Sequence, residues 1–425
     1  MPTPTRPPGK LPLAAMLATV AFGPMLLSSL SATSNMVIGE LGISAAQFGL
    51  LGTACFAAGA IGNAAFGRFN DKQSDSLLLT LVVGMAAAAL ALAAVPSGYV
   101  LLLVASGLSG LAQSFPNGVT NRILVERVPE DKRISWIGVK QSGPQVSQLV
   151  ASLAFPTIAA WIGWHGANAV GAVVAGILGI LTVRTLAALP LLPKVPTLVD
   201  AHHPVPIPAV PVNNTTLIYA LSAFGFVNGM GVQATNVYLS LYAVRELNFT
   251  LVLGGFAAAA AGAIGVVARV GWGRMMSRGM AAAPLLLLLA AMALSGALAF
   301  IMAGSTRSPA FLWLAVALHG ASALGVSVVL MAAVVRSVPT SSMGMATGWV
   351  SAGQFGGFTI GPLTMGALIS SPGGFTLGWS AVAIVYALCV LLALYLVLRR
   401  RRKELPGSQQ LIAHPEANST EDVCH

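Results

Sequence analysis

Charge is scarce in this chain, and acidic charge is scarcer still. Only 8% of its 425 residues are charged, and only 12 of them are aspartate or glutamate. Soluble domains average about 25% charged residues, so this scarcity excludes an ordinary soluble protein. Cysteine is scarce as well, and three cysteines are too few to build a disulfide framework.

Long apolar runs take the place of the missing charge. Apolar residues make up 56% of the chain, and the mean hydropathy is +0.82. A helix needs roughly 20 apolar residues to cross a hydrocarbon core about 30 Å thick. The runs are continuous rather than alternating, which favours helices over a closed barrel. We therefore predict an all-α membrane protein with twelve transmembrane spans, numbered in chain order: 11–32, 46–66, 77–95, 99–122, 135–160, 167–189, 215–242, 250–270, 280–303, 310–334, 344–369 and 375–398.

Basic residues are concentrated on one side of the predicted membrane. If the spans alternate in direction, one set of loops and the tail carry most of them: Arg68, Lys72, Arg127, Lys132, Arg133, Arg274, Arg278, Arg336 and the run 399–403. The opposite loops hold little more than Arg245 and Arg307. Cytoplasmic loops are enriched in Lys and Arg, so both termini are predicted to be cytoplasmic. The net charge of +10 then faces lipid headgroups, and no nucleic acid partner is expected.

The chain carries an internal repeat. Matching residues recur 206 positions apart or 210 positions apart: Leu41 with Leu247 and Gly67 with Gly273 for the first spacing, Gly110 with Gly320 and Gly143 with Gly353 for the second. The repeat predicts two pseudo-symmetric six-helix bundles, 1–190 and 215–398, with the substrate site between them near the midplane. A cytoplasmic linker rich in Pro, Val and His, 191–214, joins them, and a polar cytoplasmic tail, 399–425, follows.

The loop after span two reads GRFNDKQSDS, residues 67–76. Gly67, Asp71 and Lys72 match the glycine and the Asp-Arg/Lys pair found in this loop in the major facilitator superfamily. The copy in the second repeat reads GRMMSR and has Ser277 where Asp71 stands. Together with the six plus six spans and the long central linker, this loop makes the sequence resemble that superfamily over nearly the whole chain.

The resemblance implies a secondary transporter that works by alternating access, as a monomer without a cofactor, in a bacterial inner membrane. It also implies that the loop after span two latches the two halves during the cycle, and that role is carried over to Asp71 with Arg68 or Lys72. The stretch GVKQSGPQVSQ in span five, residues 138–148, resembles a bacterial subgroup in which many members take up small organic anions.

Lys140 is the cation that the sequence places inside a span without an obvious partner. It lies about 9 Å into span five at 1.5 Å per residue, and the acidic residues all lie in loops, linker or tail, or at span ends. A buried cation without a counter-charge loses its charge or attracts an anion. We interpret Lys140 as the partner of a substrate carboxylate. The alternative is that its side chain reaches the headgroups.

Amide side chains recur at helical spacing and predict polar helix faces that point inward. The predicted substrate-binding amides lie in spans four, five and seven: Gln113, Asn117, Asn121, Gln141, Gln145, Asn228, Gln233 and Asn236. Lipid-facing amides are costly, so these faces favour a wet cavity. The alternative is hydrogen bonding between neighbouring helices, worth about 0.6 to 2 kcal/mol each.

His319 is placed near the midplane of span ten. Histidine changes its charge near neutral pH, so we interpret His319 as a proton-coupling residue; a buried histidine that bonds a main-chain carbonyl is the alternative. Three arginines near the cytoplasmic ends of spans are expected to reach the headgroups: Arg122, Arg184 and Arg269.

The predicted function is proton-coupled uptake of a small organic anion, a carboxylate. A drug or metabolite exporter is the main alternative, and a transporter-like sensor or a membrane-embedded enzyme is a further one. The sequence has no nucleotide-binding loop, no metal-ligand cluster and no nucleophile with a base. We therefore predict a protein that is not an enzyme and needs no cofactor.

Overall fold

The structure is a computed structural model that describes residues 9–96, 98–192, 215–338 and 343–404. Within these ranges the secondary structure is helical, without strands. We call residues 9–192 the first half and residues 215–404 the second half. The predicted linker lies outside the described residues, apart from its first two positions.

The first half contains ten α-helices: α1 Lys10–Phe22, α2 Met25–Ala32, α3 Ser34–Leu41, α4 Ala45–Ala65, α5 Gly67–Lys72, α6 Asp75–Ala94, α7 Tyr99–Ala112, α8 Pro116–Arg127, α9 Glu130–Lys140 and α10 Gly143–Ala187. The second half contains seven, with a 3-10 turn between α14 and α15: α11 Thr215–Glu246, α12 Leu251–Ser277, α13 Ala282–Thr306, α14 Pro309–Ala321, the turn Ala323–Gly325, α15 Val326–Ser337, α16 Met343–Ile369 and α17 Gly374–Glu404.

All twelve predicted spans coincide with helices. In the described part of the chain, nine helical stretches are long and apolar enough to cross a membrane, and α1 with α2, bent by 62°, makes a tenth. The stretch Ser135–Ala187 has 53 residues and would be about 80 Å long if straight, so it contains two spans. Helix α16, with 27 residues and no charge, matches span eleven. Helix α17 continues to Glu404, beyond the predicted end of span twelve at 398.

Spans five and six are joined by a turn at Ile162 and Gly163 rather than by a loop. Ile162 leaves the helical region, and Gly163 has φ +73°. Residues with a Cβ rarely adopt that φ, whereas glycine adopts it readily. A single glycine therefore allows the chain to reverse where the sequence predicted a connection from 161 to 166.

The same helix start is used in both halves. The Ser44 hydroxyl accepts a hydrogen bond of 3.1 Å from the Gln47 N–H at the start of α4. The Thr250 hydroxyl accepts one of 3.2 Å from the Leu253 N–H at the start of α12. Ser44 and Thr250 are 206 residues apart, the spacing of the repeat. Such caps satisfy N–H groups that have no partner inside the helix.

The same close helix contact is also used in both halves. A Cβ on Gly110 would lie 1.9 Å from the carbonyl oxygen of Cys55, and a Cβ on Gly320 would lie 2.8 Å from that of Ala261. Gly110 and Gly320 are a repeat pair, and Cys55 and Ala261 are again 206 residues apart. Glycine at these positions lets α7 pack on α4, and α14 on α12, with their backbones almost touching. The division into the bundles 1–190 and 215–398 stays a prediction.

Candidate substrate site

Besides span one, which bends between α1 and α2, three described spans are interrupted along their length. Span four is interrupted between α7 and α8, span five between α9 and α10, and span ten between α14 and α15. In span five, Pro144 has no N–H to donate. The Gln145 N–H bonds the Ser142 carbonyl at 3.1 Å instead of continuing the helical pattern to Gln141. The Gln141 carbonyl oxygen is thereby released to accept a bond from elsewhere.

Lys140 is buried at this interruption. Its side chain is 0% exposed, and Nζ donates to Thr120 Oγ1 at 2.7 Å and to Asn121 Oδ1 at 2.5 Å. Both partners are neutral oxygens of α8. Among the described residues the ion pairs lie elsewhere, so no carboxylate there offsets the charge of Lys140.

The amides predicted on spans four and five meet beside Lys140. Gln141 Nε2 donates to Asn117 Oδ1 at 3.4 Å. Asn117 and Asn121 are both exposed, while Lys140 lies behind them. Asn121 therefore contacts the buried ammonium and also reaches an accessible surface.

Two other predicted amides of these spans differ in their surroundings. Gln113 Nε2 donates to Cys55 Sγ at 3.3 Å, so this side chain turns toward α4 and away from span five. Gln145 is buried, and its Oε1 has no hydrogen-bond partner within the described ranges. Helical spacing predicts the helix face on which each of these side chains lies, but not the residues with which it forms hydrogen bonds.

A second polar cluster joins the two halves. Asn236 Oδ1 lies 3.1 Å from His319 Nε2 and 3.4 Å from Gln148 Nε2. Gln148 also donates to the Ala258 carbonyl at 3.3 Å. His319 is buried, and Asn236 is half-buried. An amide oxygen only accepts hydrogen bonds, so in this contact the hydrogen is on Nε2 of His319.

The remaining predicted residues of span seven lie apart from this cluster. Asn228 is buried and donates to the Ala323 carbonyl at 3.4 Å, where it supports the 3-10 turn of span ten. Gln233 is half-buried. Of the three span-seven amides, Asn236 is the one in contact with His319.

Arg269 joins the interruptions of spans five and ten, a role that sequence reasoning missed. Its Nη1 donates to the Gln141 carbonyl at 2.7 Å, and its Nε donates to the Leu324 carbonyl at 3.0 Å. Arg122 likewise bonds inside the protein, to Asp75 at 2.6 Å. These two arginines thus differ from the expected extension to the headgroups. Arg269 lies about 12 Å before the end of α12. This depth was the signal in the sequence that its side chain bonds inside the protein.

The predicted latch residues lie on α5, the short helix that follows span two. Lys72 is exposed, and the side chains of Arg68 and Asp71 lie outside what the structure describes. The acidic residue with defined partners in this region is Asp75, which pairs with Arg122 and Arg127 within the first half. The latch assignment stays a prediction.

Apolar helices thus surround a set of buried polar side chains, and the acidic side chains that the structure describes lie near helix ends. The family model described as Major Facilitator Superfamily matches residues 13–344 and 285–419. The chain belongs to the Major Facilitator Superfamily and is a multi-pass membrane transporter of the secondary type.

Solved structures of transporters share this fold. A D-xylose-proton symporter is 17% identical with a TM-score of 0.72, covering 91% of this chain and 96% of that one. The nucleoside transporter NupG is 15% identical with a TM-score of 0.67, covering 91% and 98%. A bacterial homolog of the human lysosomal transporter Spinster, inward-facing and occupied, is 14% identical with a TM-score of 0.70, covering 92% and 96%. No curated protein matches the chain in sequence.

Proposed function

We propose that this transporter takes up a small organic anion, a carboxylate, together with protons, by alternating access. The observation that carries the proposal is the burial of Lys140 against neutral oxygens alone. Removing an ammonium from water costs several kcal/mol unless an opposite charge compensates it. Because the protein supplies no carboxylate there among the described residues, a substrate carboxylate is the natural counter-charge.

The donor inventory of Lys140 supports a ligand contact. An ammonium has three N–H donors, and the two bonds to Thr120 and Asn121 leave one without a partner among the residues that the structure describes. Asn121 is exposed, and a movement of its side chain would open Nζ to an anion. Gln141 and Asn117, which bond each other at 3.4 Å, are then positioned to orient the rest of the substrate.

His319 is the proposed proton carrier. It is buried, and its Nε2 contacts an amide rather than an acid. Its partner Asn236 also contacts Gln148 of the other half, so a change in how the halves meet changes the surroundings of the imidazole. Histidine exchanges a proton readily in the physiological pH range. One of the similar solved structures is named a D-xylose-proton symporter.

The proposal extends to topology and assembly. The basic side of the protein is the cytoplasmic side of a bacterial inner membrane, with both termini there. The protein works as a monomer in which the bundles 1–190 and 215–398 rock against each other, with Asp71 and either Arg68 or Lys72 as the latch. Impermeant labelling of cysteines placed at Lys10 and at Gly42 tests the orientation, because only the second is then labelled from outside intact cells.

Thermal stability of the purified protein with a panel of carboxylates and cationic drugs tests the anion site. A ligand at 100 times its Kd stabilises the native state by about 2.7 kcal/mol. We expect a carboxylate to raise the melting midpoint of the wild type and of Lys10→Gln, an exposed control, but not of Lys140→Gln. Stabilisation by cationic or neutral drugs alone would instead support the exporter function.

Uptake into proteoliposomes tests the direction and the coupling. An inward proton gradient should drive accumulation of the anion in the wild type, and His319→Gln should abolish accumulation while exchange of substrate across the membrane continues. Full proton-driven accumulation in His319→Gln would remove the proton role from this residue. If the anion accumulates only when the proton gradient is directed outward, the protein exchanges substrate for protons, and the assignment is export.

A further inference from the structure

Arg269 brings a second cation to the interruption beside Lys140. Lys140 is the last residue of α9, and the next carbonyl along the chain, that of Gln141, accepts from Arg269 Nη1 at 2.7 Å. The two basic side chains therefore meet the same short segment, Lys140 from within span five and Arg269 from span eight of the other half.

The guanidinium of Arg269 keeps unused donors. It has five N–H donors, and among the described residues the bonds to Gln141 and Leu324 engage two of them, which leaves three. Both partners are neutral carbonyls, and within the described ranges the ion pairs do not include Arg269. The side chain is half-buried. A carboxylate is the anion whose geometry the planar fork of a guanidinium matches.

The two cations are attached to different halves. Lys140 is fixed by Thr120 and Asn121 of span four, in the first half. Arg269 is fixed by Leu324 of span ten, in the second half. A ligand held by both is therefore held across the boundary between the halves, with one anionic group on each side. Described acidic side chains lie at the ends of the bundle and do not offset either charge.

We propose that Arg269 is a second anion-binding residue of the Lys140 site and that the substrate is a dicarboxylate with one carboxylate on each cation. This inference rests on the proposed function, because it takes Lys140 as the first anion contact. A monocarboxylate satisfies one cation and leaves the other uncompensated, so it binds more weakly.

Calorimetric binding to the full-length purified protein tests the inference, with succinate, butyrate and glycerol phosphate as probes. The wild type should bind succinate at least tenfold more tightly than butyrate. Arg269→Gln should remove this preference by weakening succinate at least tenfold while butyrate affinity changes by less than twofold. Arg274→Gln, an exposed arginine further along the same helix, is the matched control and should keep the preference.

Arg269→Lys separates binding from support of the fold. The lysine keeps the positive charge but cannot bond two carbonyls at once as the guanidinium does. The logarithm of the succinate-to-butyrate affinity ratio should therefore stay above half of its wild-type value. If Arg269→Gln weakens succinate and butyrate equally, Arg269 positions span five rather than binding substrate, and the inference is overturned. Tighter binding of glycerol phosphate than of succinate overturns it as well.

The outcomes also distinguish this inference from the proposed function. Butyrate binding that depends on Lys140, with no preference for succinate in the wild type, leaves the anion site intact and removes only the role of Arg269. Absence of any carboxylate binding removes both proposals together.

Discussion

Tyr238 in the second half donates a hydrogen bond of 2.6 Å from its hydroxyl to the main-chain carbonyl of Ala45 in the first half. Near it, the Ala46 N–H donates to Ser370 Oγ at 3.0 Å, and Arg245 Nε donates to Asn35 Oδ1 at 3.0 Å. All three bonds lie at the end of the bundle away from the described termini. They hold the halves together there, while Asn117 and Asn121 are exposed toward the other end.

Removing the Tyr238 hydroxyl should loosen this closure. A hydrogen bond contributes about 1 kcal/mol net, so Tyr238→Phe should shift the balance toward the state open at that end by about fivefold. The measurement is the rate at which an impermeant maleimide labels Ala46→Cys, with Cys424→Ser to remove the tail thiol. Tyr219→Phe, an exposed tyrosine on the same helix, should leave the rate unchanged, and equal rates in both variants would contradict the prediction.

A methyl group at Gly110 should be poorly tolerated. The added Cβ would lie 1.9 Å from the Cys55 carbonyl oxygen, so α4 and α7 must separate. Overpacking of this kind costs about 1–3 kcal/mol. Gly110→Ala should therefore lower the melting midpoint and the folded yield in detergent. Gly107→Ala on the same helix, where the added Cβ meets nothing within 4 Å, should melt like the wild type.

Neutralising Asp75 should destabilise the first half. Its carboxylate accepts from Arg122 Nε at 2.6 Å and from Arg127 Nη2 at 2.7 Å, and it is buried. Breaking a buried ion pair by removing one partner costs about 3–5 kcal/mol. Asp75→Asn should show this loss in denaturant unfolding. Glu126→Gln, an exposed carboxylate beside Arg127, should change stability by less than about 0.5 kcal/mol.

Asn236 should matter for transport more than for folding. Alanine there removes the oxygen shared by His319 and Gln148, at 3.1 and 3.4 Å. We expect Asn236→Ala to lower kcat/KM at least tenfold in proteoliposomes while the melting midpoint falls only slightly. Asn63→Ala, an exposed amide that bonds its own helix at Gly59, is the control. Unchanged transport by Asn236→Ala would separate this cluster from the substrate path.

The spans and the repeat were predictable because each depends on local sequence. Apolar length determines a span, and the paired glycines Gly110 and Gly320 mark where backbones touch. The neighbours of polar groups were not predictable in the same way. Helical spacing gives the face on which Gln113 or Asn228 lies, but not that Gln113 meets Cys55. The contact of Arg269 is harder still, since it uses main-chain carbonyls that every residue type supplies.

The turn at Gly163 links two helices through a single reversal, with no slack chain between them. Span five therefore cannot slide along its axis independently of span six, and any axial shift carries both spans in the same direction. Tilting about the turn remains available, because glycine readily adopts backbone angles that other residues rarely do. Lys140, more than twenty residues from that pivot, lies in the distant part of span five, where a small tilt produces a large lateral displacement.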